Sequence, residues 1–210
     1  VLQKKQNIFE TDLFQPTMAL LPRSVPVRIQ RVIADHTRGT AFLIADDLMP
    51  ANKEAGYVLR RLMRRVLAYE KSYSLPAHLV EALIHEVIQQ YGDFYSELRR
   101  QAERIRNTFR AEREKFGRSL EQGMRELKKY SSINPAEAFK LYETFGLPYE
   151  IIKELGGERT AALTRQGFDA ELARHQEISR AGQERKFGGH GLLLDTGELK
   201  AGNEEELKIV

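Results

Sequence analysis

Four arginines, Arg60, Arg61, Arg64 and Arg65, are the residues whose type and spacing most directly imply chemistry. On a helix turning about 100° per residue they fall within an arc of about 140°. Val58, Leu59, Leu62, Met63, Val66 and Leu67 form an apolar stripe on the other face. A guanidinium pairs bidentately with phosphate and a helix fixes the spacing of successive groups, so this face suits a nucleic-acid backbone. The same pattern describes an ordinary amphipathic helix with a solvated arginine face. Glu54 and Glu70 lie only at the ends of the stretch, so no acid within it can pair along the helix. Mutual repulsion among the arginines, relieved by an anionic ligand, is therefore the expectation.

No catalytic constellation accompanies them. The histidines His36, His78, His85, His175 and His190 form no metal set; His78 and His85 could share a helix face, but two turns apart. The sequence contains no cysteine, which excludes disulfides, thiolate zinc sites and a cysteine nucleophile. Phosphate-cradling glycine loops, serine-nucleophile elbows and H-E-x-x-H are missing, and no carboxylates stand out as an acid/base pair. With 41% hydrophobic and 30% charged residues the chain reads as globular. No apolar run approaches the roughly 20 residues of a membrane span, and the first residues do not resemble a signal peptide. A cytoplasmic protein with no membrane partner is expected. The net charge of +3 is unevenly spread: +1 over residues 1–50, +6 over 51–130 and −4 over 131–210. A basic middle suits an anionic partner, although solvated helix faces produce the same distribution.

The elements that must position these residues are helical nearly throughout. A helix is expected over Val25–Ala45, with Ser24 as its cap and Pro26 in its first turn. A loop over Asp46–Gly56 leads to the arginine helix, Tyr57–Tyr69, and Leu75–Gln90 forms another helix entered through Pro76. Phe94–Tyr130 reads as one long helix, with Gly117 and Gly123 as its weak points. Asn134 as cap, Pro135 in the first turn and Glu137 at the capping-box position predict a helix ended by Gly146 and Pro148. Gly167–Ala181 forms a charged helix. Beyond Phe187, a glycine-rich run, Leu192-Leu193-Leu194 and a turn at Asp195-Thr196-Gly197 suggest a hairpin. The expected fold is mainly α: a multi-helix bundle with one long helix and a short β-hairpin at its C-terminal end.

Several segments then fall into a recognisable order. Arg31-Val32-Ile33-Ala34-Asp35-His36-Thr37-Arg38 is followed by Ala41-Phe42-Leu43-Ile44-Ala45-Asp46, by Met49-Pro50-Ala51-Asn52 and by Gly56-Tyr57-Val58-Leu59-Arg60-Arg61. Asn7-Ile8-Phe9-Glu10-Thr11-Asp12-Leu13-Phe14 precedes them, and Phe139-Lys140-Leu141-Tyr142-Glu143-Thr144-Phe145-Gly146-Leu147-Pro148 comes later. In order and spacing, over roughly residues 1–190, these resemble the alanyl-tRNA synthetases. The resemblance implies an internal fragment: residues 1–24 the tail of a catalytic domain and a connection, 25–183 a helical tRNA-recognition domain, and 184–210 the incomplete start of an editing domain. The family's adenylate-forming motifs would precede residue 1, and its H-x-x-x-H editing motif would follow residue 210. The fragment is therefore expected to be non-catalytic and to need no cofactor, whereas its parent would use ATP with magnesium and an editing-site zinc.

The resemblance also implies the partner. The family identifies its tRNA by a G·U wobble pair in the acceptor stem, whose guanine 2-amino group projects into the shallow minor groove of A-form RNA. Its readers, an Asn in the P-[SA]-N loop and an Asp in the L-Y-D-T segment, correspond here to Asn52 and Glu143. Arg60, Arg61, Arg64 and Arg65 would hold the tRNA backbone, and the remaining domains of the synthetase would complete the enzyme. Glu143 departs from the family by one methylene, Ala55 stands where the family often has Arg, and the Leu20–Pro26 connection is shorter than usual. A second reading is a helical scaffold joined to a partner through a coiled coil of Phe94–Tyr130. A third, a free-standing editing protein, is opposed by the missing H-x-x-x-H.

Overall fold

A computed structural model gives the architecture and describes residues 3–187. Among the described residues there are nine α-helices and no strand: α1 Gln15–Ala19, α2 Val27–Ala45, α3 Glu54–Ser72, α4 Leu79–Tyr91, α5 Ser96–Arg100, α6 Ala102–Leu127, α7 Pro135–Phe145, α8 Tyr149–Gly156 and α9 Arg165–Phe187. Short 3-10 turns occupy Ile8–Glu10 and Gly157–Thr160. The hairpin expected after Phe187 lies outside the described residues. The chain divides into two compact units, one through Phe168 and one from Asp169. In the second, the described residues continue α9, where Arg174 and Glu171 pair at 2.8 Å across one turn.

In the first unit α2 is the hub, packing against α1, α3, α4, α5 and α6. Its inward residues alternate branched with small ones: Ile29, Ile33, Ala34, Thr37, Thr40, Ala41 and Ile44 are all buried. The small ones let neighbouring helices approach closely. Thr40 remains satisfied because its hydroxyl donates to the His36 carbonyl at 2.7 Å. The helix begins at Val27 rather than Val25, and Ser24 does not cap it; Pro26, at φ −54°, precedes the first turn instead. A proline with its φ already fixed provides that entry without a side-chain hydrogen bond.

The arginine helix α3 is longer than its apolar period suggests and takes Gly56 into its first turns. A Cβ at Gly56 would lie 2.6 Å from both the Met49 carbonyl oxygen and the Ala51 Cβ. The glycine therefore serves close packing of the preceding loop onto the helix, not a turn. Further along, the single helix expected over Phe94–Tyr130 is two helices. The chain breaks at Gln101 (φ −98°, ψ 11°), which lets α5 fold against α2 and α4. Leu98 is then fully buried, and Tyr95 meets Phe42 edge-on at 5.1 Å. Gly117 and Gly123 do not interrupt α6. The apolar stripe of α6, Ile105, Phe109, Phe116, Leu120 and Leu127, is buried within this chain, which leaves it no exposed coiled-coil seam.

Local signals held at α7. Asn134 Oδ1 accepts from the Glu137 amide at 2.9 Å, and Glu137 accepts from the Asn134 amide at 2.8 Å, completing the capping box. Gly146 ends the helix in the left-handed region at φ 69°. The helix that follows, α8, was not expected from the sequence pattern. Where α6 passes the end of α7, a Cβ on Gly123 would lie 2.8 Å from Phe145 Cβ and 2.9 Å from Leu147. Gly123→Ala is therefore expected to lower stability by about 1–3 kcal/mol despite its better helix propensity. Gly117, with nothing within 4 Å of its added methyl, should gain up to about 1 kcal/mol from the same change. Urea unfolding of the two variants distinguishes these opposite signs.

Candidate nucleic-acid interface

The arginine face of α3 is not left to solvent. Glu112, from α6, is 3% exposed and accepts from Arg64 Nε at 2.7 Å, with Arg60 Nε at 3.6 Å from its other oxygen. Glu150, from α8, pairs with Arg61 and with Arg165, the latter at 3.1 Å. Arg64 also stacks over the Phe116 ring at 4.6 Å. Arg65 has a different setting: its Nε donates to the Tyr69 hydroxyl at 3.3 Å and its Nη1 lies 3.4 Å from His36 Nε2. The expected unrelieved repulsion is therefore already reduced inside the fold, by carboxylates too distant in sequence for a local pattern to reveal. Three of the four guanidiniums share two carboxylates and Arg65 pairs with neither, so the face keeps a net positive charge.

These pairs set the ionisation of the site. Burial pushes the Glu150 carboxyl up, but hydrogen bonding and charge from Arg61, with the Arg65 charge, outweigh it and hold the group below its usual value. The Tyr69 hydroxyl, desolvated and donating to Glu154, is pushed up to about 12. Glu154 also pairs with Arg28 of α2, so a polar chain from Arg28 through Glu154 and Tyr69 to Arg65 joins α2, α3 and α8.

Asn52 lies exposed in the loop before α3, and its Oδ1 accepts from Arg60 Nη1. Arg60 Nη2 donates to the Pro50 carbonyl in the same loop at 3.1 Å. A guanidinium can only donate, so the Asn52 atom facing it is the amide oxygen, and one oxygen lone pair remains for a second donor. The loop is bounded by two non-glycine residues in the left-handed region, Asp47 at φ 66° and Glu54 at φ 53°. Each such residue costs on the order of 1 kcal/mol, strain that an enclosing fold must sustain.

Glu143 is exposed near the end of α7. Its neighbour Tyr142 donates to the Tyr57 hydroxyl at 3.2 Å, linking α7 to the first turns of α3. Desolvation, with the Tyr57 hydrogen bond, pushes the Tyr142 hydroxyl well above its usual value. An aromatic cluster supports the same end of α7: Tyr142 meets Phe168 at 5.6 Å and Tyr149 meets it at 5.2 Å. Sequence reasoning missed Glu112, Glu150 and the Tyr57–Tyr142 pair. Glu112 had a readable signal, because it falls in the apolar register of α6 between Phe109 and Phe116.

Other features are less distinctive. A cavity of about 490 Å³ between α3 and α6 is lined by Leu67, Glu70, Lys71, Arg113 and Phe116 among others, and its carboxylates Glu70 and Glu121 are paired with Arg113 and Lys71. No group of three His, Asp or Glu among the described residues could hold a metal ion. None of the described helices is long and apolar enough to cross a membrane.

Comparison with known proteins shows the family. A family model described as tRNA synthetases class II (A) matches residues 1–205, and the chain belongs to that family. Within it, the chain is 34% identical over 205 residues to the alanine–tRNA ligase of Borrelia garinii subsp. bavariensis, a match covering 90% of this chain and 34% of that protein. It is likewise 34% identical over 221 residues to the alanine–tRNA ligase of Bordetella pertussis, covering all of this chain and 25% of that protein. The corresponding enzyme of Colwellia psychrerythraea is 35% identical over 199 residues, 90% of this chain and 22% of its own length. The chain thus spans about a third or less of these relatives.

The Arg61–Glu150 pair generates a pH dependence. The folded-state pKa of Glu150 lies below the free value of 4.5. Its stabilisation is therefore complete above that value and is lost as pH falls through the folded one. Glu150→Gln should make the acid limb of a stability-versus-pH curve shallower below about pH 4.5. Thermal melts of both proteins across the acid range check this.

Proposed function

We propose that this chain is the acceptor-stem-gripping part of an alanine–tRNA ligase, reading a G·U wobble pair through Asn52 and Glu143. The observation that carries the reading is the pairing of a fixed amide oxygen with a family relationship to alanine–tRNA ligases. The wobble leaves the guanine 2-amino group in the shallow groove, and a donor there requires an acceptor on the protein. Asn52 supplies one, oriented by Arg60. Glu143 supplies a carboxylate from α7, and the Tyr57–Tyr142 hydrogen bond supports a common groove for both segments.

Around the readers, the net positive α3 face holds the stem by its phosphates. Arg60, Arg61 and Arg64 act as guanidiniums already fixed by carboxylates, and Arg65 as the one bound only to Tyr69 and His36 among the contacts described above. The parent enzyme would couple alanine to tRNA using ATP and magnesium in the cytoplasm, with its remaining domains supplying that chemistry and the editing zinc. The described residues form no metal site, and no step of that reaction is assigned to them.

Titrating the chain with acceptor-stem RNA hairpins tests the reading. A G·U stem should bind more tightly than a G·C stem, and Asn52→Ala should remove roughly 1–3 kcal/mol of that preference with little effect on the G·C stem. Glu143→Asp should hold or improve selectivity and Glu143→Gln should alter it. Equal affinity of the unaltered chain for both stems would refute wobble reading. The backbone role has its own readout. Arg65→Gln should weaken all stems alike and lower the log–log salt slope by about one; an unchanged slope would remove Arg65 from the phosphate contacts.

A further inference from the structure

We propose that Glu112 is a specificity-positioning residue, acting through Arg60 to orient the Asn52 amide, while its hydrogen bond from Arg64 anchors the carboxylate itself. The proposal rests on the acceptor-stem reading above and deepens it. Glu112 is the one buried carboxylate among the described residues, on a helix that carries neither reader. Its two oxygens face different arginines, Oε1 toward Arg64 and Oε2 toward Arg60.

Each arginine then reaches a different reading segment. Arg60 sends Nη1 to Asn52 and Nη2 to the Pro50 carbonyl, fixing side chain and backbone of the loop together. Arg64 lies on Phe116, and its Nη1 fills the space that a Cβ on Gly146 would need. Gly146 is the left-handed cap of α7, so the same carboxylate braces the loop before α3 and the helix end beyond Glu143.

The chemistry explains why an acid is needed at this depth. An asparagine amide presents an acceptor at one end and a donor at the other, and these differ by a half-turn of the terminal torsion. Only the oxygen accepts from a guanine 2-amino group; the flipped amide would set donor against donor. Arg60 selects the productive orientation because it has no acceptor. Glu112 holds the buried Nε end of Arg60 by charge, at 3.6 Å, while the guanidinium's hydrogen bonds among the described residues go only to the loop itself. A long arginine side chain without an anchor outside that loop samples many rotamers. A guanidinium released from Glu112 would still supply positive charge but would no longer select the amide face.

The test compares the full 210-residue chain with its Glu112→Gln variant, using two RNA hairpins that differ only at the wobble. One carries G·U and the other inosine·U, which lacks the 2-amino group. The G·U to inosine·U affinity ratio should fall about tenfold in Glu112→Gln, the range of a lost base-edge contact. In an Asn52→Ala background the same change should have no further effect on the ratio, because Glu112 acts through Asn52. A purely structural role predicts otherwise: both hairpins weaken equally and the ratio survives. A folded Glu112→Gln protein that keeps the ratio overturns the proposal, as does full additivity with Asn52→Ala. If circular dichroism shows Glu112→Gln unfolded, Arg60→Lys replaces it, leaving Arg64 on Glu112 but removing the fork that spans Asn52 and Pro50. Loss of the ratio there supports the relay and its retention overturns it. An unaltered chain that binds both hairpins equally refutes wobble reading itself, and this proposal with it; an unaltered chain that discriminates, beside a variant that does so equally well, refutes only the role of Glu112.

Discussion

Burying the Glu112 carboxylate imposes a condition that much of this structure meets. A carboxylate withdrawn from water costs several kcal/mol unless charge and hydrogen bonds replace its hydration. Here the replacement is two guanidiniums one helical turn apart on α3, so α3 must face α6 with Arg60 and Arg64 both inward. That requirement fixes the rotation and the sliding register of α3 along α6. The consequences extend to both ends: the loop before α3 is held by Arg60, and the end of α7 meets Arg64 at Gly146 and packs on α6 at Gly123.

The same condition changes what an arginine-rich helix means. A solvated row of arginines is flexible, and each side chain loses rotamer freedom on meeting a phosphate. In this chain Arg60, Arg61 and Arg64 are already ordered by Glu112 and Glu150, and Arg65 by Tyr69 and His36. Ordering lowers the attraction for anions, because part of the charge is neutralised, but it also lowers the entropy lost on binding. Under the proposed phosphate-binding role, that balance favours geometric discrimination over raw affinity.

Much of the architecture was legible before any coordinates. Apolar spacing located α2, α3 and α4 to within a few residues, and α7 was located by its boundary chemistry, the capping box at Asn134 and the stop at Gly146, which formed as those side chains require. The ordered segments from Asn7 to Pro148 pointed to the family that the comparison then showed. The misreadings have particular causes. Gly56 resembled a loop residue because glycine marks both turns and close contacts, and only the Met49 carbonyl beside it separates the two. The break at Gln101 was hidden because Leu98, Ala102 and Ile105 keep helical spacing across it. Glu112 was visible as an acid in an apolar register, a pattern that predicts a buried partner without naming one.

By itself, then, the sequence determined the helical class, most of the segment limits, the excess of positive charge in the middle of the chain and the family. Each of these follows from neighbours within a few residues or from the linear order of motifs. Only the tertiary structure decided which arginines are neutralised, which atom of the Asn52 amide faces its guanidinium, and that Tyr57 meets Tyr142. Apart from the Asn52–Arg60 contact, eight positions apart, those facts depend on side chains 48 to 89 positions apart. Their meeting is set by how α3, α6, α7 and α8 pack, and a one-dimensional period carries information about a helix's own faces but none about which face of another helix it will meet.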